Sequence, residues 1–134
     1  MPRSLSLIFP SAVLGFTWLT ARSDERHLSL LLRPAAQGRA HGHVELEEES
    51  HGGTFVSLDV SGLEPGAEYV SQFHHEHGCR IQPEDERSEI GRFVADAHGH
   101  ATVAARLDEH LADIGSVDIR RGGDLAIVGC APVD

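Results

Sequence analysis

The sequence contains no lysine, and its 11 basic residues are arginines scattered along the chain. With 21 acidic residues, the net charge at pH 7 is −10. Because a surface that follows a nucleic-acid backbone needs clustered lysine and arginine, this composition argues against nucleic acid as a partner. An anionic surface attracts cations, which is compatible with a metal-handling protein and equally with any other soluble protein.

Aromatic residues are also scarce, at 5% of 134 positions, whereas valine, leucine, alanine and glycine are plentiful. This composition suits a sandwich of short strands better than a bundle of helices. A chain of this length forms one domain and buries a core without needing a metal to fold.

The sequence also lacks an apolar run long enough to span a bilayer. The main candidate, residues 5–19, has about 15 residues against the roughly 20 that are required. It follows a short basic start and precedes the small residues Thr20-Ala21, an order typical of a secretory signal peptide. We therefore predict a signal peptide over 1–21, a mature domain over 26–134, a secreted or periplasmic location and no membrane attachment after cleavage. A buried N-terminal strand is the alternative.

Cysteine is limited to Cys79 and Cys130. In an oxidising compartment two cysteines fit one bridge, which agrees with export. Neither lies near the predicted cleavage region, so the sequence does not indicate a bacterial lipid anchor.

What the chain does contain is a series of short alternating segments separated by turn signals. This pattern predicts an all-β protein, an antiparallel Greek-key β-sandwich or flattened barrel of seven to eight strands. The expected strands cover residues 26–34, 39–48, 54–63, a segment from 68 onward, 90–97, 100–107, 116–121 and 125–130, with one or two helical turns over 108–114.

The segment 68–80 holds His74, His75, Glu76 and His77 in succession. It follows the turn signal of residues 62–66, so we expect a hairpin with the preceding strand, with the histidines at its far end. A strand end beside a loop allows ligand atoms to converge. Three imidazoles suit Cu(II), Zn(II) or Ni(II), which makes the three histidines, with Glu76, candidate metal ligands.

The register of this strand decides which of its side chains face the core. If Tyr69, Ser71 and Phe73 point inward, then Gln72 and His74 point outward. The opposite register would bury an amide and an imidazole without partners, which costs a few kcal/mol. We therefore expect the first register, with the polar face toward solvent.

Two other histidine pairs occur in the chain. His41 and His43 alternate with apolar residues and share a strand face with glutamates, and two histidines at this spacing can clasp a metal. On an open strand face, however, the favoured interpretation is a solvated polar surface. His98 and His100 flank a turn glycine, and we interpret them as turn residues.

Four segments occur in the order found in the copper/zinc superoxide dismutase superfamily, and the chain most resembles its exported, divergent bacterial members. They are residues 56–66 (VSLDVSGLEPG), the histidine-rich strand that ends in Gly78-Cys79, residues 93–103 (FVADAHGHATV) and residues 116–130 (SVDIRRGGDLAIVGC). The resemblance implies a Greek-key β-sandwich and a disulfide between Cys79 and Cys130. Closing a loop of that length stabilises a fold by roughly 4 kcal/mol in the chain-entropy estimate.

The resemblance also implies four copper-binding histidines, of which this chain keeps only part. Two of them form an H-x-H pair, which falls on Gln72 and His74 counted from the Pro-Gly turn. Counted from the following cysteine, it falls on Phe73 and His75. Arg120 stands at the position of the last copper histidine.

An arginine cannot ligate a metal, and its fixed charge opposes cation binding. The family's zinc loop is missing, because residues 80–89 contain no histidine, and residues 126–128 (AIV) replace its guiding arginine. If the family's strand neighbours are kept, Arg120 lies near His74 and Glu76. We expect a salt bridge with Glu76, since a guanidinium pairs well with a carboxylate.

Three functional hypotheses follow. The first is an exported superoxide-dismutase-like domain with a degenerate copper site, which binds a transition metal through the histidine cluster without being an efficient dismutase. The second is a copper-dependent dismutase with a rearranged set, namely His74, His75, His77 and a histidine from another strand. The third is a non-catalytic interaction or structural module. Copper or zinc is the cofactor in the first and copper in the second, the third needs none, and the oligomeric state stays open.

Overall fold

A computed structural model describes residues 26–36, 38–80 and 87–133. Within these ranges the chain forms eight strands and one short 3-10 helix, so the predicted all-β fold class is confirmed. The predicted signal peptide lies outside the described residues, and no helix within them is long and apolar enough to cross a membrane. The elements are β1 (His27–Pro34), β2 (His41–Glu48), β3 (Thr54–Ser61), β4 (Glu68–His74), β5 (Arg87–Val94), β6 (Ala101–Leu107), the 3-10 helix (Leu111–Asp113), β7 (Ser116–Arg121) and β8 (Ile127–Pro132).

The strands form two antiparallel layers in the order β5-β4-β7-β8-β1-β2-β3-β6. Sheet A contains β1, β2, β3 and β6, and sheet B contains β5, β4, β7 and β8. The layers are joined where Arg33 and Pro34 of β1 pair with Cys130 and Gly129 of β8. At the opposite side β5 and β6 contact each other, which nearly closes the sheet into the predicted flattened barrel.

The predicted hairpin between the third strand and the histidine-rich strand is wrong. β3 pairs with β2 and β6, whereas β4 pairs with β5 and β7. The intervening turn carries the chain from sheet A to sheet B, and it is held by hydrogen bonds from Leu63 N to Gly99 O (3.0 Å) and from Gly66 N to Ala95 O (2.9 Å). β5 and β6 also follow each other in the chain and join different sheets, since β5 pairs with β4 and β6 pairs with β3. Turn residues mark where a strand ends, but the sheet that the next strand joins depends on distant partners.

The inward faces of both sheets form one apolar core, and the predicted alternation is confirmed there. Val56, Leu58 and Val60 of β3 are at most 1% exposed. On β4, Tyr69 and Phe73 pack into the same core cluster. The inward register predicted for β4 is therefore correct, and it fixes Gln72 and His74 on the outer face of sheet B.

Candidate functional site

The outer face of sheet B is polar and yet buried. On it, Gln72 and His74 of β4 lie directly across from Asp118 and Ser116 of β7, with Arg120 next along the strand. Their exposed fractions are 8% for Gln72, 1% for His74, 0% for Asp118 and 6% for Arg120. The expectation that this face meets solvent is wrong. The alternation placed these side chains correctly, but it could not show that other parts of the chain lie over them.

The segment that follows β4, residues 75–80, folds back against β7 and the end of β8. Gly115 N donates to His74 O (2.8 Å), and Ser116 Oγ donates to Glu76 O (3.2 Å). A Cβ atom on Gly115 would lie 2.3 Å from the His75 carbonyl oxygen, so only glycine permits this approach. We call residues 75–80 the cover segment.

The Cys79–Cys130 disulfide fixes the cover segment to sheet B. It joins positions 51 residues apart, and the predicted pairing is confirmed. Cys130 is the cross-strand partner of Asp118, which places the bridge beside the buried polar face. A loop of this size contributes about 4 kcal/mol in the chain-entropy estimate, although strain and residual structure commonly reduce that figure.

A buried ion network lies on this outer face of sheet B. His74 Nε2 donates to Asp118 Oδ2 (2.7 Å), and Arg120 Nε donates to the same oxygen (3.1 Å). The side chains of His74 and Asp118 are 0% exposed and that of Arg120 is 8% exposed. Because an isolated charge in such surroundings is very costly, the carboxylate and the guanidinium depend on each other. We call His74, Asp118 and Arg120 the ion network.

The expected salt bridge between Arg120 and Glu76 is replaced by the one with Asp118. Glu76 is exposed on the cover segment, whereas Asp118 lies two residues from Arg120 on the same face of β7. Sequence reasoning did not single out Asp118. The signal was present in the alternation of β7, where Ser116, Asp118 and Arg120 are polar and the residues between them are apolar.

The histidines proposed as a metal cluster have different partners in the structure. His74 binds Asp118, His75 Nε2 donates to Glu109 Oε2 (2.8 Å), and His77 Nδ1 donates to Val133 O (2.9 Å). Over residues 26–36, 38–80 and 87–133, no group of three or more histidine, cysteine, aspartate or glutamate side chains could hold a metal ion. Metal binding by this cluster therefore stays a prediction.

No protein-family model matches the chain, and no curated protein matches it. Among solved structures it is similar to the Cu/Zn superoxide dismutase from Brucella abortus, with a TM-score of 0.58 and 18% sequence identity. The match covers 81% of this chain and 100% of that one. The fold is superoxide-dismutase-like. The disulfide is compatible with an extracytoplasmic location.

A superoxide-dismutase-like fold raises the question of whether these residues fit a copper ion. The described residues of the buried face supply one imidazole, one carboxylate, one amide, one guanidinium and the hydroxyl of Ser116. Copper that cycles between two oxidation states is held well by nitrogen ligands, and here His74 Nε2 is already bonded to Asp118. The guanidinium of Arg120 cannot ligate and repels a cation. The described residues of this face do not fit a copper centre.

The remaining histidines lie mainly on the outer face of sheet A. His41 and His43 are exposed there, as the alternation of β2 predicts. His100 Nε2 donates to Asp59 Oδ1 (2.6 Å), with both side chains largely in solvent. Among the described residues, this polar face has no covering segment. It can therefore be compared with the buried polar face of sheet B.

Proposed function

We propose that this chain is an exported, superoxide-dismutase-like domain in which an ion network replaces the copper site, and that it is not an efficient dismutase. The observation that carries the proposal is the single oxygen, Asp118 Oδ2, that accepts hydrogen bonds from both His74 and Arg120. This arrangement gives Asp118 the positive charge that a metal ion would otherwise supply.

A copper ion would have to compete with Arg120 for the carboxylate of Asp118. To bind Asp118 Oδ2 it must displace a guanidinium that is 8% exposed, leaving that cation buried without a counter-ion. Breaking a buried pair in this way costs about 3–5 kcal/mol. Because the guanidinium stays charged at every relevant pH, no change of protonation relieves this cost.

The domain then acts as a non-catalytic binding or structural module. The disulfide and the ion network stabilise the same face, since Cys130 lies across from Asp118. The stability of this face is compatible with a role outside the cytoplasm, where disulfides persist.

The test is a superoxide decay assay on the mature, disulfide-bonded protein after incubation with Cu(II) and removal of unbound metal. We expect a rate no higher than that of free copper at the same total concentration. Metal analysis of the same protein, purified without added metal, should give well below one copper per chain. A rate near the diffusional ceiling of about 10⁸–10⁹ M⁻¹s⁻¹ would overturn the proposal.

A second candidate function is transition-metal binding at the cover segment, away from the ion network. The observation that favours it is the contact between His75 and Glu109, at a surface concavity of about 410 Å³ that Asp113 also lines. A metal ion could take the place of the proton between the imidazole and the carboxylate, with Asp113 joining on binding. Imidazole and carboxylate together suit zinc or copper.

A further inference from the structure

Two oxygen atoms beside the ion network have no hydrogen-bond donor in the described part of the chain. They are Gln72 Oε1 and Asp118 Oδ1, and both atoms are buried. The two residues are 8% and 0% exposed, and they are direct cross-strand partners on β4 and β7. Opposite side chains on neighbouring strands have Cβ atoms about 4.5–5.5 Å apart, which is close enough for one small molecule to reach both acceptors.

Two unpaired acceptors in one place require a donor. Leaving a buried acceptor unsatisfied costs about 1–3 kcal/mol, and buried polar groups in folded proteins are nearly always paired. The other carboxylate oxygen, Oδ2, already accepts from His74 and Arg120. The missing donor therefore has to serve Oδ1 and the amide oxygen together.

The charge of the site decides what kind of donor it takes. Asp118 contributes one negative charge and Arg120 one positive charge, at a contact of 3.1 Å, so this pair is neutral. A metal cation or an ammonium ion would add a positive charge beside the guanidinium of Arg120, which already carries one. The ligand that fits is neutral and offers two donors to two acceptors.

We infer that this site binds one water molecule, which donates one hydrogen to Gln72 Oε1 and the other to Asp118 Oδ1. Buried waters make about three hydrogen bonds, commonly to otherwise unsatisfied polar groups. The inference rests on the proposed function, because it holds only while Arg120 supplies the positive charge. The inference also identifies the ligand. A neutral molecule, and not a metal cation, occupies the polar face.

Arg120 thereby determines whether the site takes a neutral ligand or a cation. Without the guanidinium, the carboxylate of Asp118 keeps the imidazole of His74 and the amide oxygen of Gln72 as its neighbours. These three groups would then favour a divalent cation over water. The substitution Arg120→Gln isolates this effect, because glutamine removes the charge without adding an imidazole.

The direct test is a crystal structure of the mature protein at high resolution, with diffraction recorded at the zinc and copper absorption edges. We expect an isolated peak within about 2.7–3.2 Å of both Gln72 Oε1 and Asp118 Oδ1, without anomalous signal. An anomalous peak at that position would overturn the inference. It would also be overturned if the Gln72 amide nitrogen donated directly to Asp118 with no molecule between them.

The second test is calorimetric titration of Zn(II) into the parent protein, Arg120→Gln and the control Arg121→Gln. Arg121 is the next residue on β7, but it pairs with the exposed Asp124 (3.2 Å). We expect Arg120→Gln to bind Zn(II) at least tenfold more tightly than the parent and the control to match the parent. Equal affinity in all three proteins would overturn the inference, and if Arg120→Gln does not fold, the crystal structure still decides.

The two proposals fail in different ways. Fast dismutation by the copper-loaded parent protein would overturn the proposed function. Slow dismutation together with an anomalous peak, or with a direct contact between Gln72 and Asp118, would overturn only the water site.

Discussion

On the outer face of sheet A the imidazole of His100 lies 2.6 Å from the Asp59 carboxylate, and on the outer face of sheet B the imidazole of His74 lies 2.7 Å from the Asp118 carboxylate. The first pair is 39% and 65% exposed, whereas the second is 0% exposed on both sides. The chemistry of the two contacts is the same. Their surroundings differ in burial, and the disulfide and the cover segment both contact sheet B.

This difference changes what each contact contributes. An exposed ion pair contributes about 0–1 kcal/mol, because water screens the charges and competes for the hydrogen bond. A buried pair is costly to desolvate, yet losing one partner is more costly still, since the other charge is left unpaired. The polar face of sheet B therefore depends on each of its members, whereas that of sheet A does not.

The largest expected effect comes from the matched substitutions Asp118→Asn and Asp59→Asn. The first leaves Arg120 buried without a counter-charge, so the free energy of unfolding should fall by about 3–5 kcal/mol. The second should lower it by less than about 1 kcal/mol. Urea denaturation of the two variants measures both values. Similar losses in the two proteins would show that burial does not separate the two faces.

A smaller effect is expected for metal binding by the exposed histidines. Replacing His75 and His77 by alanine removes the imidazole that contacts Glu109 beside a concavity, so Zn(II) affinity should fall at least tenfold, or about 1.4 kcal/mol. Replacing His41 and His43 removes two imidazoles from an open face and should leave the affinity nearly unchanged. Calorimetric titration compares the two variants. Equal losses would indicate adventitious binding at the surface and would remove the second candidate function.

The smallest effect concerns acid stability on sheet A. Hydrogen bonds from Ser29 and then from His27 hold the pKa of Glu45 below its ordinary value. A lowered pKa in the folded state contributes stability that is fully present above the pKa of an unfolded glutamate, about 4.3, and is lost as pH falls through the folded pKa.

The expected size of that contribution is below about 1 kcal/mol, because Glu45 is 40% exposed and solvent screens its contacts. Glu45→Gln should therefore be slightly less stable than the parent at pH 7 and should approach it below pH 4. Urea midpoints measured from pH 7 to pH 3 give the comparison. A difference that grows toward low pH would contradict the assignment.

Local patterns predicted the faces of the strands but not what covers them. The alternation of β3 and β4 placed Val56, Leu58 and Phe73 in the core, and the structure agrees. The same alternation placed His74 on the outer face, also correctly, but a period of two does not show whether that face meets solvent. That outcome depends on packing against this face by parts of the chain that are distant in sequence, which a local pattern does not contain.

Local sequence signals also could not predict which strands pair when they are distant in sequence. The turn before β4 was recognised, but its strand joined the other sheet, because β4 pairs with β7 across more than forty positions of sequence. The position of Asp118 beside Gln72 and His74 follows only from that pairing. The disulfide was predicted correctly through the family resemblance, because the order of motifs carries long-range information that periodicity lacks.

The disulfide also sets an order of events for a chain that emerges N-terminus first from a ribosome or an export channel. Strands β1, β2 and β3 are consecutive neighbours, so most of sheet A can pair as soon as residue 61 is free. β4 must wait for β7, and Cys79 must wait for Cys130, 51 residues later. Because long-range contacts form late in folding, the side of the barrel with His74 is the last to exclude water. Until then Cys79 is a free thiol, and an oxidant that acted too early would find it without its partner.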